Sequence, residues 1–306
     1  MVRLHVRPYG SLDDFEAMRR VLVAGRRASP HSGYIHIGDL NWWLFYLLRT
    51  YDLSEITFLW EDSSANVVGW SLLTPDLGAF DVFVRPEARD SATVEQILAW
   101  TEARLLEQVP NSAQLANMWA FGDDDLWRAC LERCGYGRDR ATGSLYLRHA
   151  LDALETPSLP DGFQIAHVTD SLVEARASAH RGAFGSLRMT TESYAQLRQA
   201  PDYRPELDVI TLAPDGEVAS YVMGWYDEEN RVAEFEPVGA APLYQRRGLG
   251  RVVMLEALRR VRALGAREAI VYAEIDNPAS QALFRSVGFT LLNRIDTYRK
   301  QIDDRV

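Results

Sequence analysis

Glu234 and Glu236 stand two apart in the run Val232-Ala233-Glu234-Phe235-Glu236, directly ahead of Pro237-Val238-Gly239-Ala240-Ala241-Pro242-Leu243-Tyr244-Gln245-Arg246-Arg247-Gly248-Leu249-Gly250-Arg251. Residues two apart on a regular strand share a face. Two carboxylates able to accept a proton therefore precede a loop suited to an anion. In that loop Gly248 and Gly250 let backbone approach a ligand without a Cβ in the way. The helix that follows opens with amides that have no internal partner, and its dipole adds to their attraction for a pyrophosphate. Arg246, Arg247 and Arg251 supply charge and forked donors. A Walker loop would end in Gly-Lys-Ser/Thr, and a dinucleotide fingerprint would place three glycines after the first strand of a βαβ unit; neither fits. The plain structural reading is a helix start with incidental glycines, a basic surface cluster and two exposed strand acids.

The elements around the run set its context. After residue 163 the pattern predicts a strand at 163–168, helices at 171–184 and 191–198, and strands at 207–212, 218–225 and 232–238. An amphipathic helix follows over 249–264, with Leu249, Val253, Ala257, Val261 and Leu264 on one face and Gly265 at its end. A strand at 268–273, a helix at 278–286 and a strand at 289–299 complete the half. Residues 4–134 repeat the outline, and Gly135-Tyr136 mirrors Gly288-Phe289, which points to an internal duplication. Two prolines and an Asp-Gly mark a linker between the halves. The predicted organisation is a first domain over residues 1–152, a linker over 153–162 and a second domain over 163–306. The fold class is α+β, each domain a mixed, mostly antiparallel sheet flanked by helices.

Gln245-Arg246-Arg247-Gly248-Leu249-Gly250 resembles the Gln/Arg-x-x-Gly-x-Gly/Ala motif of the Gcn5-related N-acetyltransferases, the GNAT superfamily. Asn277-Pro278-Ala279-Ser280-Gln281-Ala282-Leu283-Phe284-Arg285-Ser286-Val287-Gly288-Phe289 looks like that family's later motif. The resemblance covers roughly residues 163–300, and the doubled arrangement is similar to that of tandem members. It implies acetyl-CoA as co-substrate, held where two parallel strands splay apart. Pantetheine would pair with backbone at Val238, Gly239 and Ala240. The pyrophosphate would lie on the amides of Arg246, Arg247, Gly248, Leu249, Gly250 and Arg251, with Gln245 opening the motif. Asn277 would meet the cofactor. Glu234 precedes Gln245 at a spacing that resembles the family's catalytic Glu, while Glu236 lies nearer the expected thioester, so the base is one of the two. The family's usual acid Tyr corresponds to Phe284, which has no proton to give and would pack on pantetheine. Tyr298 or Tyr272 would then donate, or the thiolate leaves unaided.

In the first half, Val84-Arg85-Pro86 matches Ala240-Ala241-Pro242, which puts Asp90, Ala92 and Val94 where Arg246, Gly248 and Gly250 stand. This copy is expected to have lost its coenzyme site. Trp42, Trp43, Phe45 and Tyr46 read as a packed helix, or else as an aromatic wall for an ammonium. Asp123-Asp124-Asp125 reads as a solvated helix start. His31 and His36 lack the partners of a metal site, as do Cys130 and Cys134, and no metal is expected. His167 and His180 belong to no hydrolase triad signature.

The chain has 306 residues and a net charge of −10, which disfavours nonspecific nucleic-acid binding and mildly favours cationic acceptors. No apolar stretch approaches the ~20 residues of a membrane span, and the N-terminus lacks the pattern of a signal peptide. A cytoplasmic monomer or homodimer is expected. The expected reaction is transfer of acetyl from acetyl-CoA to a primary amine on a small molecule or peptide, by direct attack in a ternary complex. The alternative is a noncatalytic acyl-CoA binding or regulatory module.

Overall fold

The computed structural model describes residues 4–110 and 114–302. The first half runs β1 (His5–Pro8), α1 (Leu12–Ala28), α2 (Ile37–Trp42), α3 (Leu53–Ile56), β2 (Thr57–Glu61), β3 (Val67–Thr74), β4 (Ala79–Val84), α4 (Ser91–Leu106), β5 (Gln114–Phe121), α5 (Asp125–Arg133) and β6 (Gly137–His149). The second runs β7 (Gln164–His167), α6 (Val173–Phe184), α7 (Thr191–Leu197), β8 (Asp208–Leu212), β9 (Val218–Asp227), β10 (Val232–Ala240), α8 (Leu249–Ala263), β11 (Glu268–Glu274), α9 (Pro278–Ser286) and β12 (Thr290–Gln301). The α+β alternation expected from the sequence is present in both halves.

Local chemistry explains the helix starts. Ser11 opens α1 by accepting from the Asp13 amide at 3.2 Å, while Asp14 reaches back to the cap, a reciprocal arrangement that satisfies otherwise orphaned donors. Asp90 caps α4 through the Thr93 amide at 2.8 Å, so this helix begins at Ser91.

All twelve strands form one sheet in the order β1-β2-β3-β4-β5-β12-β6-β11-β10-β9-β8-β7. Pairing is antiparallel except for β4 with β5 and β10 with β11. The middle of this order is an exchange. β6 pairs with β11 of the second half, and β12 pairs with β5 of the first, so each half's last strand lies in the other's sheet. The two exchanged strands pair with each other. The boundary in the chain, within the linker, is thus not the boundary in the sheet. Among the described residues no helix is long and apolar enough to cross a membrane.

One core cluster gathers α1, α2 and α4 with residues of α6, α7, β8 and β9, and so spans both halves. A second packs α8 and α9 on the opposite side of β9–β11. Covered on both sides, every residue of β9 is buried. Trp42, Trp43 and Tyr46 are core residues, at 5%, 8% and 3% exposure, and Phe45 packs partly buried against the same core. Cys130 and Cys134 are free thiols, and burial raises Cys130 to about 11.

The exchange makes the halves one folding unit. Ile270 lies fully buried at the seam with Phe121 and Tyr146. Ile270→Ala should cost about 2–5 kcal/mol through the lost transfer and the cavity. Urea unfolding should report this as one lowered midpoint, coincident by tryptophan fluorescence and far-UV circular dichroism.

Candidate active site

β10 carries the site from one end to the other. It pairs with β11 only through Val232–Glu234, opposite Glu268–Ile270, and the two parallel strands then part. On its other edge β10 stays paired with β9 as far as Ala240, across an irregularity between Phe235 and Val238. Backbone at Val238, Gly239 and Ala240 is thereby left without a ladder partner on the β11 side, which is the opening the sequence reading requires.

The chain then enters a single 3-10 turn, Pro242–Tyr244, and the loop to α8. Gln245 closes the turn by donating from Nε2 to the Ala240 carbonyl at 3.2 Å. Arg246 and Gly248 both adopt left-handed backbone, with φ of 60° and 79°. Gly248 is the N-cap of α8, no side chain caps the helix, and a Cβ there would meet nothing within 4 Å. The space beside the first amides of α8 is open. Arg246 and Arg247 are exposed; Arg247 lies over the Tyr244 ring at 5.7 Å. Arg251 is tied down, to Glu155 at 2.5 Å and to the Ser286 carbonyl at 3.2 Å. Leu249 is buried, and Gly250 lies against Leu283.

The equivalent corner of the first half is filled. β4 and β5 also part after two paired positions, but Asn117 bridges to the Phe80 carbonyl and Asp81, at 3.1 and 3.2 Å, and accepts from Trp127 Nε1 at 3.1 Å. Arg89 is clamped by Asp124. The start of α4, which corresponds to the open start of α8, is occupied by the Asp90 carboxylate.

Glu234 and Glu236 both point to the side of the sheet covered by α2, where Asp39 of the first half joins them. Carboxyl oxygens of the three lie within 4.8 Å of one another. Asp39 and Glu234 are 0% exposed; Glu236 is half-buried. Burial pushes Glu234 and Asp39 well above the ordinary carboxyl range, helped by the neighbouring acids. Burial likewise raises Glu236 to about 7, partly offset by Asp39. Both Glu234 oxygens and Asp39 Oδ1 are buried without a hydrogen-bond partner. A buried polar atom of this kind is costly unless something satisfies it. Among the described residues this is the one cluster able to enclose a cation, whether an ammonium or a metal ion.

The surroundings are aromatic. Tyr272 stacks on Tyr146 at 5.2 Å and meets Trp119 edge-on at 5.0 Å, and Trp119 lies 5.7 Å from Trp43. The Tyr272 hydroxyl is buried and unpartnered, and burial next to Asp39 keeps its proton on. Arg26 is the buried cation of the region, donating to the Tyr34 carbonyl and Tyr146 Oη, each at 3.1 Å. Trp225 Nε1 donates to the Glu236 carbonyl at 2.9 Å and so fixes the strand at the site.

The remaining expected residues fall elsewhere. Tyr298 is not brought to the acids: β12 pairs with β5, and its hydroxyl accepts from Arg128 Nε at 3.2 Å beside Glu132 in α5. The strand exchange carries it there. Asn277 caps α9 through the Ser280 amide at 3.1 Å. Phe284 is 5% exposed and packs on Phe289. Asp39 and His36 were not among the residues expected to act. The local trace they leave is a helix start of the form His-Ile-Gly-Asp, in which His36 and Asp39 cap reciprocally.

Residues 170–289 match the model of the acetyltransferase (GNAT) family. Over 302 residues the chain is 27% identical to a mycothiol acetyltransferase of Nocardioides sp., covering 91% of this chain and 96% of that one. A second mycothiol acetyltransferase, from Paenarthrobacter aurescens, is 25% identical over 228 residues, 69% of this chain and 67% of its own. In fold, the chain is similar to a tandem GNAT protein from the clavulanic acid biosynthesis pathway, with a TM-score of 0.70, 15% identity and coverage of 99% and 100%. It is also similar to a GCN5-related N-acetyltransferase from Sphaerobacter thermophilus, with a TM-score of 0.66, 18% identity and coverage of 99% and 97%.

The acid cluster makes stability depend on pH. Glu236 holds its proton to about pH 7 when folded, against the 4.5 of a free glutamate side chain. The folded state therefore binds more protons across that window, and its stability falls as pH rises from about 4.5 to 7. Glu236→Gln removes this loss. Thermal denaturation should show the variant more stable than wild type by on the order of 1–3 kcal/mol at pH 8 and equal to it at pH 4.

Proposed function

We propose that the protein, whose residues 170–289 match the GNAT acetyltransferase family and whose fold is similar to that of a tandem GNAT protein, transfers an acetyl group from acetyl-CoA to a primary amine. The observation that carries this reading is the course of one strand. β10 brings Glu234 and Glu236 to a buried acidic cluster, presents unpaired backbone at Val238–Ala240 and delivers the chain to an uncapped helix start.

Acetyl-CoA bound along this path would supply the acetyl thioester. The amides of residues 248–251, with Arg246 and Arg247, would hold its pyrophosphate. The open space over Gly248 fits an anion, and the filled corner at Asp90 does not; we therefore assign one coenzyme site, in the second half. Phe284 would contribute packing rather than a proton.

The acceptor arrives as an ammonium, with an ordinary pKa near ~10 for an alkyl amine. Asp39, Glu234 and Glu236 would attract it, and one of the two glutamates would take its proton. A carboxyl with raised proton affinity is a better match to an amine than an exposed one. Tyr272, whose hydroxyl keeps its proton and lacks a partner, replaces Tyr298 as the donor nearest the reacting groups. The acceptor of the mycothiol acetyltransferases is the first amine to test, given the similarity over nine-tenths of the chain.

Two measurements test the reading. Calorimetric titration should show acetyl-CoA binding to wild type and none to a folded Gly248→Glu, Gly250→Glu double variant. An amine screen that follows free thiol should give acceptor-dependent release, reduced about 10²–10⁴-fold by Glu234→Gln with coenzyme binding retained. Binding without release for every amine would favour a noncatalytic acyl-CoA module.

A further inference from the structure

The segment that closes over the acids from the first half does more than add Asp39. His36 is fully buried, 198 residues before the base on the chain side of α2, with Nδ1 3.1 Å from Glu234 Oε2.

 

The ring nitrogens have different partners. Nε2 lies 3.2 Å from the Val232 carbonyl, which can only accept, so Nε2 carries the hydrogen. Nδ1 then carries the ring's one lone pair, which takes the Gly38 amide at 3.0 Å and faces the Asp39 amide of the reciprocal cap. Burial and the nearby Arg26 lower His36 to about 3, which keeps the ring neutral.

The same lone pair lies 3.1 Å from Glu234 Oε2, where it repels an ionised carboxylate and can be shared with the hydrogen of a protonated one. Neither oxygen of Glu234 has a well-formed hydrogen bond; the Asp39 amide and side chain nearby favour the ionised carboxylate, and the His36 lone pair favours the protonated one. The approach is enforced sterically. A Cβ on Gly38 would fall 2.3 Å from Glu234 Oε2 and 2.6 Å from Trp225, so only glycine lets the His36–Asp39 turn come this close.

Building on the acetyl-transfer reading, we propose that His36 is a positioning residue for Glu234: it orients the carboxyl across the junction of the two halves and holds the proton that Glu234 takes from the acceptor. In that step an N–H bond of the ammonium breaks and an O–H bond forms on Glu234. The new hydroxyl points at the Nδ1 lone pair, which it shares with the Gly38 amide, and the amine keeps the freed electron pair for attack on the thioester. The first half thereby sets the strength of a base that the second half carries. The groups facing Glu234 are His36 and Asp39 from the first half's helix start, Glu236 on its own strand, Arg26 of α1, Tyr272 of β11 and Tyr146 of β6. Asp202 and Asp227 face His36 from behind. Arg26 is the one cation of this set, and it favours the ionised carboxylate; His36 opposes it by favouring the protonated form.

The test compares His36→Gln with His36→Asn in the full chain. The glutamine can still donate to the Val232 carbonyl but offers no acceptor at the Nδ1 position. The asparagine places an oxygen there. The acid limb of kcat/KM should move about one unit to lower pH in His36→Gln and stay at the wild-type position in His36→Asn. A uniform drop in rate with an unmoved limb in both variants would overturn the proposal in favour of a purely structural role. A second arm needs no turnover: long-range proton–nitrogen NMR should show His36 as the Nε2–H tautomer from pH 5 to 8, with an Nδ1 resonance that shifts in Glu234→Ala. An imidazolium, or an Nδ1 resonance indifferent to Glu234, would also overturn it. If no amine supports thiol release while the NMR result holds, the failure lies with the acetyl-transfer reading and not with the His36–Glu234 contact.

Discussion

The pairing of β6 with β12 is the constraint on which the remaining geometry rests. Each half alone would end its sheet at the strand that runs parallel to its fourth, β5 in one and β11 in the other. By exchanging final strands the halves cover those edges with each other, which removes two open edges of the kind that invite unwanted pairing. The same exchange fixes the halves' relative orientation. It lays α2 of the first half against β9 and β10 of the second, so a helix start and an acid-bearing strand far apart in sequence share one buried space.

That space is electrostatically unfavourable for the fold by itself. Asp39, Glu234 and Glu236 repel one another, and burial denies them water. The protein tolerates this by keeping protons on the group, and a bound cation would do the same work. A cation held there would relieve that repulsion, and the acids that would meet it are the ones whose proton affinity is raised.

What the sequence made legible follows the range of the interactions. The glycine–arginine loop is local: glycines, arginines and a helix start lie within seven residues, and the backbone of residues 245–251 depends on little else. The pair Glu234 and Glu236 was legible as a shared strand face, and the irregularity before Val238 left both on it. The doubling of elements was legible from repeated punctuation such as Gly135-Tyr136 and Gly288-Phe289. The partners from the first half were not. His36 and Asp39 look like an ordinary capped helix start, and only the tertiary approach over Gly38 gives them a role. Tyr298 shows the converse. Strand alternation told which way its neighbours would face, but not that β12 would cross into the other half, where Arg128 and Glu132 take its hydroxyl.

The two copies of the fold have diverged in complementary ways. In the second half the helix start after the loop is bare at Gly248; in the first it is closed by Asp90, and the cleft beside it is filled by Asn117, Trp127 and the Arg89–Asp124 pair. The filling also anchors the loop that leads to α2. Gly33 lies so close to Asp124 that a Cβ would come within 2.9 Å of its carboxylate. The next anchors are Ser32, which donates to Asp123 at 2.5 Å, and the His31 carbonyl, which accepts from Asn293 at 3.3 Å. Three residues further on the chain reaches His36. The filled corner is the fixed support from which the first half holds its imidazole and carboxylate against Glu234. The closed corner in one copy and the placement of the acids in the other are consequences of the same packing.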